Sequence, residues 1–209
     1  MSTKFELFTR EENPFGKTWE QWTIEWWQWL FSIPKQNNPA LDETGENFEL
    51  NFNNNDNNVI FLAGSDVNRG KIFRTISIPI DKAILFPVIN FITSYLENPF
   101  LKTEKDLIFF AKSNIDDILL REVELDGIQI QISEKHRIRS PIFNLFLPEN
   151  NLYDIEPGYT KAISDGYWIF LKNLSHGSHT IHTRGSCLAG KIKIDVTFSI
   201  NIIEETTAL

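Results

Sequence analysis

Four kinds of side chain in this sequence could do chemistry: a carboxylate inside an aromatic run, a set of spaced histidines, an arginine in an apolar strand, and a cluster of tryptophans. Glu20 lies in Trp19-Glu-Gln-Trp-Thr-Ile-Glu-Trp-Trp-Gln-Trp-Leu-Phe31. At roughly 100° per residue it falls inside the apolar arc, beside Ile24 and Trp27, where burial would raise its pKa and suit it to general acid or base work. The competing reading is a first-turn carboxylate placed to meet the helix dipole. His176, His179 and His182 form a spaced triplet. On a strand, however, His179 and His182 project to opposite faces, so no shared metal ion is expected. His182 with Asp165 is the other acid–base candidate, against an ordinary hydrogen-bonded histidine.

Arg74 sits mid-strand among Phe73, Ile76 and Ile78. A buried arginine there calls for a carboxylate, either a protein partner such as Asp165 or an anionic ligand. Asn90 interrupts an apolar strand, and either orients a ligand or satisfies backbone groups beside Pro87. Five of the six tryptophans fall between Thr18 and Phe31, the sixth being Trp168. They read as core, as the wall of a pocket that stacks on a sugar, a flat molecule or a cation, or as a membrane anchor. The acidic and glutamine wedge of the helix argues against the last. Trp27, Arg74, Asn90, Trp168 and His179 are the residues expected to line such a pocket. Cys187 is the lone cysteine, a small hydrophobe unless a histidine activates it.

No phosphate-binding glycine loop, zinc-protease helix, Cys-x-x-Cys pair or nucleophile elbow is present, so no cofactor is expected. The formal net charge is -8 and no Lys/Arg cluster stands out, which argues against nucleic acid and anionic membrane surfaces as partners. The first residues are broken by charges and do not read as a signal peptide. With one cysteine, a reducing, cytoplasmic compartment is expected. Asn173-Leu174-Ser175 matches a glycosylation sequon by coincidence on that reading.

The elements that must position these residues are mostly strands. Thr18 and Gln21 form a capping box ahead of the tryptophan run, and Pro34 ends it, giving a helix over 18–33. A helix apolar over most of its circumference must be largely buried. Phe5 to Thr9, Phe48 to Phe52, Val59 to Ala63, Ile72 to Ile78, Ala83 to Ile92 and Pro141 to Leu147 read as strands, with a polar loop at Asn53 to Asn58. Thr103 starts a second helix through Ile115. Asp126-Gly127 between alternating runs marks a hairpin, and Tyr167–Leu171 with His179–His182 suggests another. The last strand alternates strictly, Ile192, Ile194, Val196, Phe198, Ile200 and Ile202 facing one way. With 42% hydrophobic residues and 17 Phe, the 209-residue chain can bury a sizeable core and is read as one domain. The expectation is an antiparallel β-sandwich, jelly-roll or immunoglobulin-like, with a buried Trp-rich N-terminal helix and one further short helix.

Three segments together resemble a family of uncharacterised microbial proteins, many of them exported. They are Trp26-Trp-Gln-Trp-Leu-Phe-Ser-Ile-Pro34 with Asn38-Pro39 and Asp42; Arg74-Thr-Ile-Ser-Ile-Pro79 with Lys82 to Asn90; and Ser164-Asp-Gly-Tyr-Trp168 leading to His179-Thr-Ile-His182. The resemblance implies a shared fold and brings no activity with it. It also implies cysteines near the positions held here by Phe48 and Ile76, and their absence fits a reducing setting.

The functional expectation is a soluble protein whose aromatic-lined cleft binds a small organic or carbohydrate-like molecule. The alternative is an enzyme of lyase, isomerase or cyclase type using Glu20, or Asp165 with His182, for proton transfer. A purely structural protein is the third reading, and a homo-oligomer is compatible with all three.

Overall fold

The computed structural model describes residues 5–48, 58–187 and 191–204. The expected strand at Phe48–Phe52 and the loop that follows lie outside them, apart from Phe48 and Asn58. Over the described residues the chain is mainly β, with two α-helices and two mixed five-stranded sheets, and is not a closed barrel. Helix α1 spans Trp19–Ser32 and α2 spans Glu104–Asp116. The first sheet holds β1 (Val59–Phe61), β3 (Ala83–Ser94), β8 (Gly158–Leu171), β6 (Arg137–Arg139) and β7 (Phe143–Leu147). The second runs in the order β2 (Lys71–Pro79), β10 (Ile192–Ile203), β9 (Gly177–Cys187), β4 (Ile118–Leu125) and β5 (Ile128–Ile130).

Both helix starts are those the sequence dictates. Thr18 accepts from the Gln21 N–H while the Gln21 side chain takes the Thr18 N–H, and Thr103 and Asp106 repeat the arrangement. Asn38 closes the other end of α1 by donating to the carbonyls of Leu30 (2.8 Å) and Ile33 (3.2 Å).

Alternate residues of β8 serve two cores. Trp168 and Phe170 pack with Trp19, Trp22 and Trp26 of α1, whereas Tyr167, Ile169 and Leu171 join Val196, Phe198 and Ile200 of the second sheet. Helix α1 therefore lies on one face of the first sheet and the second sheet on the other. Helix α2 closes a third cluster, setting Leu107 and Ala111 against Ile163.

Two expectations need correction. The sheets are not purely antiparallel, because β1 runs parallel to β3 and β2 parallel to β10. Nor do β8 and β9 form a hairpin; they belong to different sheets. The burial pattern supplies the reason. Strands β3 and β8 are covered on both faces and pair with each other, while β9 alternates buried and exposed residues and pairs with the equally one-sided β10. The Asp126-Gly127 turn forms as expected, with φ of 51° and 78°.

Candidate functional site

Strand β1 ends at Phe61, opposite Leu85, so that among the described residues no strand pairs with that edge of β3 from Pro87 onward. Proline suits such an edge because it has no N–H to leave unpaired. Just there the register between β3 and β8 slips, between Pro87 and Ile89. Bulges of this kind re-aim side chains and gather beside functional sites. Two glycines make room for it. A Cβ on Gly166 would lie 2.5 Å from the Asn90 Cβ and 2.6 Å from its Cα, and one on Gly185 would lie 2.9 Å from the Ile89 Cβ.

A cavity of about 270 Å³ lies along this unpaired edge. Helix α1 walls it with Trp26, Trp27 and Leu30, β3 with Pro87 to Ile92, the start of β10 with Ile192 and Ile194, and the remaining loops with Gly64 to Val67, Glu97, Leu152 and Tyr153. The aromatic residues of the wall are linked through Phe31, which lies behind it. The Trp26 and Trp27 rings meet edge to face at 4.9 Å, Trp27 stacks on Phe31 at 5.8 Å, and Phe31 meets Tyr153 at 5.1 Å.

Four of the walling residues carry a buried polar atom with no partner among the described residues: Trp27 Nε1, Ser65 Oγ, Asn90 Nδ2 and Glu97 Oε2. The contrast within α1 is direct. Trp19, Trp22 and Trp26 donate their indole N–H groups to the carbonyls of Thr9, Pro14 and Leu62 at 2.9–3.1 Å, and Trp27 does not donate. Orphaned buried polar atoms cost free energy, and four of the eight found among the described residues sit on residues around this one cavity, the others being Arg74 Nη2, Thr93 Oγ1, Ser164 Oγ and Trp168 Nε1. Burial pushes the Glu97 carboxyl up to about 7. Tyr153 is 37% exposed as a residue, yet crowding around its hydroxyl and the charges of Glu97 and Asp66 raise its pKa as well.

Of the eight residues expected to transfer protons or to line a pocket, Trp27 and Asn90 wall this cavity; the other six do not. Glu20 is ion-paired with Arg10. Burial alone would raise its pKa, but that bond and a main-chain N–H bring the net shift below the ordinary value, the reverse of the expectation. Asp165 and His182 are not partners. Asp165 takes a two-pronged bond from Arg137 (2.9 and 2.8 Å), while His182 meets Asp195 at 2.8 Å on the wet side of β9. Burial raises the Asp165 pKa against the pull of Arg137.

Arg74 does not meet Asp165 either. It donates to the carbonyls of Asp42 (2.7 Å), Ala63 (2.6 Å) and Gly64 (3.2 Å), and lies over the Phe198 ring at 5.5 Å. Burial brings its pKa down to about 10, so it stays charged at neutral pH. Its work is to tie the loop after α1 to the segment that walls the cavity. Trp168 packs edge to face on Trp26 at 5.2 Å, behind that wall.

His179 lies between Asp126 (2.7 Å from Nδ1) and Ser175, an arrangement that looks like a hydrolase triad. The likeness is loose, because Nε2 is closer to the Ser175 carbonyl (2.9 Å) than to its hydroxyl (3.3 Å), so the ring is held against the main chain rather than aimed at the hydroxyl. Cys187 is buried, and its thiol is pushed up to about 11. Among the described residues no group of His, Cys, Asp or Glu could hold a metal ion, and no helix is long and apolar enough to cross a membrane.

The residues that sequence reasoning missed are Ser65, Asp66, Glu97 and Tyr153. None stands in a periodic pattern, and each reaches the cavity only because a loop folds there.

No protein-family model and no curated protein matches the chain. Among solved structures it is similar to a cysteine protease inhibitor from Entamoeba histolytica, with 16% identity over 69% of this chain and 96% of that one, at a TM-score of 0.26. A likeness so slight carries no argument about fold or function.

Proposed function

We propose that the protein binds a small organic molecule in the cavity between α1 and the free edge of β3. On this reading the two sheets form a β-sandwich, and the Trp-rich helix is the wall that completes the site on its outer face. The observation that carries the proposal is the set of four unpartnered polar atoms on residues around one aromatic-walled space. Ligand sites combine this mostly apolar lining with a few polar groups that fix orientation. A molecule with an apolar body and one hydrogen-bonding head suits such a wall better than a sugar, which would bring more hydroxyls than the cavity has polar groups to meet.

The test is a metabolite library screened by tryptophan fluorescence and thermal shift, run beside Ala40→Leu. Ala40 lines the cavity, and the larger side chain fills it. Hits that shift the wild type and not the variant support the reading. An unresponsive wild type, or equal responses from both proteins, overturns it.

One observation favours a second reading, an enzyme that moves a proton. Glu97 and Tyr153 share the cavity, and a carboxyl held near 7 is poised for acid–base work. That role, first assigned to Glu20 or to Asp165 with His182, then belongs to Glu97. Turnover of a library hit by the wild type and not by Glu97→Gln would establish it.

A further inference from the structure

We infer that the cavity selects a cation, a molecule with a flat apolar body and one basic nitrogen that meets Glu97; this rests on the cavity being a ligand site. The charges around it lean one way. Glu97 and Asp66 both wall the cavity, and among its described lining residues there is no lysine, arginine or histidine. The nearby cations point to other partners: Lys35 pairs with Asp154, Arg69 with Glu43 at 2.8 Å, and Arg74, on β2, gives Nε and Nη1 to main-chain carbonyls while its Nη2 is buried without a partner.

The protein shows elsewhere how it treats a carboxylate taken out of water. Asp165 is given Arg137 on both oxygens, whereas the Glu97 carboxyl is met only by the Ser94 main chain, with nothing on Oε2. A buried carboxylate without a counter-ion is an unfavourable arrangement that a cationic ligand would relieve. The Trp26 and Trp27 rings add the second half of the recognition, since indole faces attract cations strongly once water is excluded. An anion would meet repulsion from Glu97 and Asp66 and find no cationic side chain among the described lining residues. A carboxyl held near 7 by burial also lets a cation secure the ionised form at neutral pH.

Three probes with one ring and three head charges decide the matter: benzylamine, benzyl alcohol and benzoate. Each is titrated into the full chain at pH 8, up to millimolar concentration, by calorimetry and tryptophan fluorescence. Benzylamine is expected to bind about tenfold or more tighter than benzyl alcohol, and benzoate weakest of all. In Glu97→Gln, with its fold checked by circular dichroism, the gap between amine and alcohol is expected to close to about twofold or less, because the amide offers no charge.

Equal binding of the amine and the alcohol by the wild type, or tighter binding of benzoate, overturns the cation inference and leaves the cavity a ligand site. So does silence from all three probes while other library compounds bind. If no compound binds at all, the ligand-site reading falls and takes this inference with it.

Discussion

Asp165 on the first sheet and Glu97 in the turn that follows β3 are both carboxylates drawn away from water, and the protein provides for them in opposite ways. Asp165, fully buried on β8, sits in a closed network. Arg137 grips both of its oxygens and also holds Asp116 at 2.8 Å, and nearby Tyr167 donates to Glu134 at 2.7 Å while Arg121 lies over its ring. Glu97, just beyond β3, has an oxygen with no partner, in a wall where Trp27, Ser65 and Asn90 each carry another unpartnered atom. Paired charges in the first region hold elements together. Unpaired groups in the second lower the protein's own stability, a cost usually seen where a surface is kept for something else.

That contrast can be broken at its strongest point first. Arg137→Met leaves Asp165 buried without its partner and should cost about 3–5 kcal/mol. Urea unfolding measures the loss, and adding Asp165→Asn should restore much of it. A loss under about 1 kcal/mol would show that the network holds nothing together.

Removing the Glu97 charge should do the opposite. Its folded pKa of about 7 lies above the ordinary 4.5, so the protonated form is favoured by folding. The stability it contributes is present below about pH 4.5 and lost as pH rises through about 7. Glu97→Gln should therefore be more stable than the wild type at pH 8, by at most roughly 3 kcal/mol, with the gap vanishing below pH 4.5. Identical unfolding curves for the two proteins at pH 8 would mean that Glu97 is solvated and the contrast false.

Smaller effects sharpen the picture. Gly166→Ala pushes a methyl group into the Asn90 backbone and should cost about 1–3 kcal/mol, and the bulge that shapes the cavity should shift with it. The check is loss of ligand response greater than the loss of stability explains. Thr18→Ala and Thr103→Ala remove matching caps from the two helices, at about 1 kcal/mol each. Only the first should disturb tryptophan fluorescence, because α1 carries the cavity's indoles and α2 has none.

Local chemistry was readable where a few adjacent residues decide the outcome. Thr18 with Gln21, Asp126-Gly127 and the alternation from Ile192 to Ile202 each specify one conformation, and each is found. Sheet membership was not readable in this way. Tyr167–Leu171 and His179–His182 are close in sequence, but strands choose partners by how many faces are covered, and that depends on the whole fold. The candidate site shows the same divide. Trp27 and Asn90 stood out as an aromatic residue in an aromatic run and a polar residue in an apolar strand. Glu97 follows Tyr95-Leu96 in a turn, where a glutamate is unremarkable until the fold brings it to the cavity. Asp165 and His182 failed as a pair because one faces the interior of the first sheet and the other the wet side of the second.

The parallel pairing of β2 with β10 sets the order of events at birth. As the chain leaves the ribosome, Ile72, Arg74, Ile76 and Ile78 are made long before the strand that pairs with them in the sheet. Until Ile192–Ile203 arrive, that surface must wait unpaired, open to chaperones or to a neighbouring chain. A chain cut short before Ile192 would thus carry a sticky, unpaired strand edge.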